Sequence, residues 1–425
     1  MVNIKILLIF LGALPLQSIA QGPGTITLTE AYDLAQKSYP VIKQKNLIRQ
    51  TTDLTISNLS KGFLPQLSLN GQASYQSDVT KINISLPGVS VPSPSKDQYK
   101  VTADLSQVIY DGGAIREQKV AQSLNAGVED QKVEVELYKL KERINQLYLG
   151  ILYLDEQLKQ VDLVKTDLQN GIKRVEAQVN NGVAFKSNLN VLKAEWLKTD
   201  QRAIEIKASR KGYVETLGLF LNQSLSEDLI LEKPSELSAR ELTTEVQRPE
   251  LKLYERQVQL LAQQDKFIQA KNLPKAGVFV QGGYGRPGLN LLDNKFDFFY
   301  IGGLRLNWAF GGLYTQKKEK QIVKLNQQGV DVQKETFLLN TNTQLKQQLS
   351  EVDKLDKLIA TDEAIIELRQ SVKEAARAQL ENGVITANDY LREVNAEDQS
   401  RQARITHQLQ LLQAKINYQT ISGKQ

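Results

Sequence analysis

The chain has 425 residues, enough for two or three ordinary domains or one large elongated one. A hydrophobic share of 41 % and a charged share of 24 % exclude gross disorder, and the net charge of +5 comes from interleaved signs, without the basic block of a nucleic-acid surface. Cysteine is absent and the single methionine is the initiator, which excludes disulfides and a lipid-bearing cysteine and disfavours, without excluding metal efflux, a dedicated thioether or thiolate copper or silver relay.

The N-terminus reads as a secretory leader. Lys5 supplies positive charge, Ile6 to Leu16 is almost wholly apolar, and Ser18-Ile19-Ala20 fits a small-x-small cleavage site. This predicts a leader over 1–20 and a mature chain starting near Gln21. No later segment approaches the ~20 apolar residues of a spanning helix, so membrane insertion requires β-strands.

A first repeat is assigned to 21–222. It opens with a helix near Thr29–Lys61, followed by strands at 65–77 and 99–111 around a loop holding Pro87, Pro92 and Pro94. No proline then occurs before Pro234. Val133, Leu137, Leu140, Ile144, Leu147, Ile151, Leu154, Leu158 and Val161 alternate steps of four and three, the a/d heptad of coiled-coil packing. Leu149, Leu152 and Tyr153 add a second apolar flank, which predicts more than one helical neighbour. A helix from Ala114 to Asn180 is about 100 Å long at 1.5 Å per residue. It ends at a tip near 181–186, where Gly182 can take the left-handed conformation and Ser187 or Asn188 can cap the return helix to Leu221.

A connector at 223–247 leads to a second repeat over 248–425. Its helix at Pro249–Asn272 precedes strands at 274–285 and 297–310. In the last strand Phe296, Phe298, Tyr300, Leu304, Leu306, Trp308 and Phe310 recur at period two, with Asp297, Arg305 and Asn307 between them. That is the apolar-out, polar-in pattern of a lipid-facing barrel strand. A long helix near Leu313–Glu381, a tip near 382–387 with Gly383, and a return helix near Asn388–Thr420, capped by Thr386 or Asn388, complete the copy.

The two copies align in three places. Pro40, Leu64, Pro65 and Tyr75 match Pro249, Leu273, Pro274 and Tyr284 without a gap. Leu105–Gly113 parallels Leu304–Gly312. Asn181-Gly182-Val183, with Leu189, Leu192, Ala194 and Glu195, parallels Asn382-Gly383-Val384, with Leu391, Val394, Ala396 and Glu397. Four strands cannot enclose a pore, and in lipid they leave two edges of unpaired N–H and C=O groups at several kcal/mol each. Other copies must therefore complete the sheet.

With these motifs the chain resembles the TolC-like outer-membrane efflux channels. The resemblance rests on the paired Pro…Leu-Pro segments, Asp111-Gly112-Gly113 and Phe310-Gly311-Gly312 after the strands, and the tips Gly182-Val183 and Gly383-Val384, over about 25–420. It implies an internally duplicated α+β membrane protein. Each protomer would give four transmembrane strands to a trimeric twelve-stranded barrel, a coiled-coil α-helical tunnel in the periplasm, and a small equatorial region. It further implies a passive outer-membrane exit duct for small molecules, metal ions or proteins. An inner-membrane pump delivers the cargo through a periplasmic adaptor, and the channel has no catalytic role and no cofactor.

In the family the Gly–apolar tip pairs contact the adaptor, and Gly182, Val183, Gly383 and Val384 occupy those places. A plain helix-ending turn explains the same glycines. The family narrows its periplasmic end with carboxylates after the second tip. Asp389 matches one; gapless alignment puts Arg392 at the other, with Glu393 adjacent and one turn from Asp389. Facing inward in three chains, Asp389 and Glu393 would give six carboxylates, a ring that attracts cations and resists closure.

Catalytic vocabulary is missing. The lone His407 has no nucleophile motif beside it, and Gly282-Gly283-Tyr284-Gly285 does not lead into a helix as a phosphate loop must. The rival reading is a non-channel periplasmic adaptor or coiled-coil scaffold, which leaves the two lipid-type strand pairs unexplained.

Overall fold

A computed structural model describes residues 25–80, 93–234 and 245–424; the leader read at 1–20, Pro87 and Pro92, and part of the connector lie outside them. The chain forms two compact units, and both repeats contribute to each. One gathers residues up to 38, 141–238 and 351–416; the other gathers 39–140, 239–350 and the residues from 417 on.

The second unit holds a four-stranded antiparallel sheet of β2 (Gln66–Tyr75), β3 (Asp97–Tyr110), β5 (Lys275–Arg286) and β6 (Asp297–Asn307), in that spatial order. The strands fall where the period-two pattern placed them, except that Trp308 and Phe310 lie just beyond β6. Register decides the faces. Leu67 pairs with Leu105, Leu105 with Val280, and Tyr284 with both Val101 and Phe298. One face is therefore a continuous apolar surface that includes Leu67, Tyr300 and Leu304, which are 74, 80 and 82 % exposed. On the opposite face Asp104 accepts hydrogen bonds from Asn70 at 2.7 Å, from Thr102 at 3.1 Å and from Gln281.

Aromatic rings gather at both ends of this sheet. Tyr284 stacks near Phe296 and Phe298, with ring centroids 5.6 and 4.6 Å away, and Trp308 lies 4.7 Å from Phe310. Ten residues of chain separate Phe298 from Trp308, about 33 Å fully extended. Tilted as barrel strands are, that spans roughly the 25 Å of a barrel's apolar band, with aromatics at its two rims.

The helices of this unit follow the strands. They are α2 (Lys43–Ser60), the parts of α3 (Ala114–Asn180) and α6 (Gly311–Glu381) that lie nearest the strands in the chain, and α5 (Pro249–Lys271). Lys45 pairs with Glu134, joining α2 to α3. Gln131 donates to the Pro249 carbonyl at 3.0 Å, joining α3 to α5. Lys271 pairs with Glu319 at 2.7 Å and Tyr254 meets Phe337, joining α5 to α6. The order α2-α3-α5-α6 thus repeats the order of the strands.

The single entering helix expected at 29–61 is instead two, α1 (Leu28–Ser38) and α2, with a 3-10 turn at Pro40–Ile42. Pro40 disfavours helical backbone at the preceding residue, and Tyr39 is extended, with φ −66° and ψ 127°. In the second repeat Pro249 sits at the first position of α5, where its missing N–H costs nothing. The aligned prolines therefore break one helix and start another.

In the first unit α3 continues beside α4 (Lys186–Leu221) and α7 (Ala387–Ser422). The heptad positions Leu154, Leu158 and Val161 pack on Ala203 and Ile206 of α4, while the second flank, Leu149 and Leu152, packs on Leu412 and Ile416 of α7. The predicted second neighbour is therefore present. A short parallel pair, β1 (Thr25–Ile26) with β4 (Ile230–Leu231), has no counterpart in the sequence reading. It is held by Tyr148, fully buried, whose hydroxyl lies 2.7 Å from the Ile26 carbonyl and 2.6 Å from that of Glu232.

Candidate functional site

The two helical tips lie in the first unit and share one backbone solution. After α3, the Gly182 N–H donates to the Val179 carbonyl at 3.0 Å and the Val183 N–H to that of Gln178 at 2.9 Å. After α6, Gly383 donates to Leu380 at 3.1 Å and Val384 to Gln379 at 2.9 Å. This is the Schellman ending, and it needs a left-handed residue, so Gly182 and Gly383 take φ of +76° and +73°. The motif turns the following residue outward: Val183 and Val384 are 74 and 71 % exposed.

The return helices begin differently. α4 starts at Lys186, so its N-cap is Phe185, and no side chain caps it. The capping expected of Ser187 or Asn188 does not occur, because both already lie inside the helix. Phe185 projects into solvent, 80 % exposed, a large apolar group that the sequence reading passed over. At the second tip Thr386 stands in the place of Phe185 and caps α7 as expected, and Ile385 before it packs against the tip core.

Beneath the tips, Leu168 and Val175 of α3, Leu189 and Leu192 of α4, Leu380 of α6 and Tyr390 of α7 share one apolar cluster. The leucines singled out in the repeat alignment thus lock the two hairpins together.

Asp389 lies in the first turn of α7. Its carboxylate accepts the Thr386 hydroxyl at 2.7 Å and the Thr386 N–H at 3.1 Å, and Arg392 lies 3.7 Å away. These hydrogen bonds, the Thr386 hydroxyl's foremost, hold its carboxyl below the usual carboxylate range despite some desolvation. Glu393 is less open. Its side chain is 19 % exposed and lies 3.6 Å from Arg369 of α6 and 3.4 Å from Arg392. Asp389 and Glu393 are adjacent on α7, each with a cation beside it.

One turn further on, Glu397 anchors a buried network. It binds Lys373 of α6 at 2.7 Å and Arg401 at 2.7 Å, and Lys373 also binds Asp167 of α3 at 2.8 Å. Burial acts to lower Lys373, but the bonds to Asp167 and Glu397 outweigh it and its titration moves upward. Asp398, next along, joins Gln160 of α3 and Arg202 of α4, each at 3.0 Å. The alignment marked Glu397 only as a partner of Glu195, which pairs loosely with Lys198 at 3.6 Å within its own helix. His407 is 2.6 Å from Asp362, a contact between helices. Among the described residues there is no cluster of three or more metal-ligating side chains, and no helix is long and apolar enough to cross a membrane.

Residues 31–223 match the family model described as outer membrane efflux protein. No curated protein matches the chain in sequence. Solved structures match it over nearly its whole length. The outer membrane protein VceC of Vibrio cholerae is 15 % identical over 93 % of this chain and 96 % of its own, with a TM-score of 0.65. The CmeC outer membrane channel of Campylobacter jejuni is 14 % identical over 100 % and 94 %, TM-score 0.61. The MtrE outer membrane channel of Neisseria gonorrhoeae, in its open state, is 17 % identical over 93 % and 89 %, TM-score 0.62. At such identities the likeness is one of fold, and it extends the architecture of the matched first half through the second. Residues 31–223 thus resemble the outer membrane efflux proteins in sequence, and the chain as a whole shares the fold of solved outer-membrane channels.

Proposed function

We propose that three copies of this chain form a passive exit duct in the outer membrane, the last component of a tripartite efflux system. The observation that carries this reading is the four-stranded sheet. One face is apolar, the other polar, aromatics stand at both rims, and among the described residues the outer edges of β2 and β6 have no partner strand. In lipid those edges must be paired, and three copies supply twelve strands. The duct does no chemistry of its own; an inner-membrane pump supplies the energy and a periplasmic adaptor links the two.

The adaptor docks at the tips. Gly182 and Gly383 allow close backbone approach, and Val183 and Val384 present exposed apolar surface that contact with another helical tip removes from water. Asp389, with Glu393 behind it, lines the periplasmic aperture. The carboxylate of Asp389 is fixed by Thr386, while Arg369 and Arg392 partly neutralise the pair.

Reconstitution into planar bilayers tests the reading. The purified protein should give discrete conductance steps that favour cations, and Asp389→Asn should reduce that preference. Membrane insertion without conductance steps would overturn the duct.

A further inference from the structure

The two tips share one backbone ending, yet the helices that return from them start on opposite terms. Thr386 holds the N-cap place of α7 and exchanges hydrogen bonds with Asp389, an acid in the first turn. The same place before α4 holds Phe185, with extended backbone at φ −80° and ψ 142°, and no side chain caps the helix. Lys186 is the first residue of α4, and the first turn holds no acid. Both choices act against the helix start, which favours a small polar cap and negative charge. Neither is compensated within the protomer. Phe185 and Val183 project into solvent, and Lys186 is exposed with no acid paired to it among the described residues.

Residues that weaken their own helix start and face water point to a contact outside the chain. We propose that the first tip is the principal anchor for the adaptor: the Phe185 ring enters an apolar pocket on the adaptor's helical tip, and Lys186 meets a carboxylate at the rim of that pocket. The partner's chemistry follows from the charge pattern. From Ala177 to Ala194 the chain carries Lys186 and Lys193 and no acid, so the surface that complements it is apolar and acidic. From Ala378 to Asn395, the matching stretch of the second tip carries Glu381, Asp389 and Glu393 against Arg392 alone, and it repels such a surface. Binding energy concentrates on aromatic side chains buried at the centre of an interface, and only the first tip offers one. Gly182, where an added Cβ would meet open space, keeps the approach to the ring clear. Val384 at the second tip is then a subsidiary contact.

The inference rests on the proposed docking of an adaptor at the tips and is tested separately from the duct. Because the chain has no cysteine, Ser187→Cys places a single exposed thiol beside Phe185 for cross-linking in intact cells. The captured protein, identified and purified, is then titrated against the native particle in detergent. Phe185→Ser should weaken its binding about tenfold or more while raising amide protection in the first turn of α4, because a hydroxyl at this place restores the cap. Phe185→Trp, which keeps an aromatic ring, and Val384→Ser, at the other tip, should both stay within about threefold of the native chain. Lys186→Glu should weaken binding although it suits the helix start better. Unchanged binding in Phe185→Ser, or an equal loss in Val384→Ser, overturns the first-tip anchor. Particles that fall apart in Phe185→Ser overturn it too, because the ring is then covered by a neighbouring copy. A captured protein without a helical hairpin, or no capture by particles that conduct in planar bilayers, overturns the anchor and leaves the duct standing. Particles that neither capture a partner nor conduct overturn both.

Discussion

Thr386 and Asp389 bond each other reciprocally at the start of α7: the Thr386 N–H donates to the Asp389 carboxylate at 3.1 Å, and the Asp389 N–H donates to the Thr386 hydroxyl at 3.3 Å. Two of the helix's free N-terminal donors are thereby satisfied. Because the Thr386 bonds lower the carboxyl's folded titration below its unfolded value, the stabilisation is complete above the ordinary aspartate range, about 3.9, and is lost as pH falls through the lower folded value. Protection of the first-turn amides of α7, taken relative to their intrinsic exchange rate, should therefore hold at neutral pH and fall only in acid. Asp389→Asn should flatten that acid dependence. An unchanged loss of protection in acid in the variant would refute the role of the carboxylate.

Thr386→Ala removes the acceptor for the Asp389 N–H and should cost about 1 kcal/mol at this tip. Ser187→Ala, at the first tip, should cost almost nothing, because α4 begins at Lys186 without a side-chain cap. Exchange rates at the two helix starts, measured in one experiment, separate the two tips.

The Glu397 network should be the strongest polar support of the hairpin pair. Lys373 is 15 % exposed and Glu397 6 %, so removing the carboxylate leaves buried cations short of partners. Glu397→Ala should destabilise by about 3 kcal/mol, read as a lower melting temperature of the helical signal. Lys373 titrates upward, so its contribution is complete below the ordinary lysine value, about 10.4, and is lost only as pH rises through the higher folded value. The penalty should therefore persist across neutral pH. Glu195→Ala, at the aligned position, should be nearly silent.

Much of this was legible in the sequence, and the misses have physical causes. Period-two alternation and proline-free heptads placed the four long strands and both long helices, because burial on one face writes itself into spacing. The heptad could not say which neighbour each flank meets, and two residues of β1 against two of β4 are too short to leave a pattern. The split at Tyr39-Pro40 was missed because the entering helix was read as one range across Pro40, which disfavours helical backbone at Tyr39. At the site, the glycines of the tips were readable because a left-handed turn demands them. Phe185 and the Lys373–Glu397 pair were not, since exposure and partners across helices depend on packing that no local motif encodes.

The aligned Asp111-Gly112-Gly113 and Phe310-Gly311-Gly312 segments use glycine for different reasons. Gly112 and Gly113 have φ of +73° and +84°, and Asp111 accepts the Gly113 N–H at 2.9 Å and the Ile115 N–H at 2.6 Å as it caps α3. Gly312 has no such backbone; a Cβ there would fall on the buried side chain of Asn272. Gly311→Ala, with open space around it, should therefore be neutral or stabilise by up to about 1 kcal/mol, whereas Gly312→Ala should destabilise. Melting temperatures of the two single variants in detergent decide the contrast.

Tyr148→Phe deletes the only hydroxyl of a fully buried ring and leaves the Ile26 and Glu232 carbonyls without that donor. The expected loss is about 1–3 kcal/mol, with exchange rising first at β1 and β4. Unaltered exchange in that strand pair would show that the ring's packing alone holds it.

The sheet margins left unpaired among the described residues are the feature on which the proposed duct depends, and the mass of the native particle addresses them most directly. Native mass spectrometry of the protein released from outer membranes in mild detergent should give a particle of three protomers. A particle of one protomer, released from the membrane already folded, would contradict it.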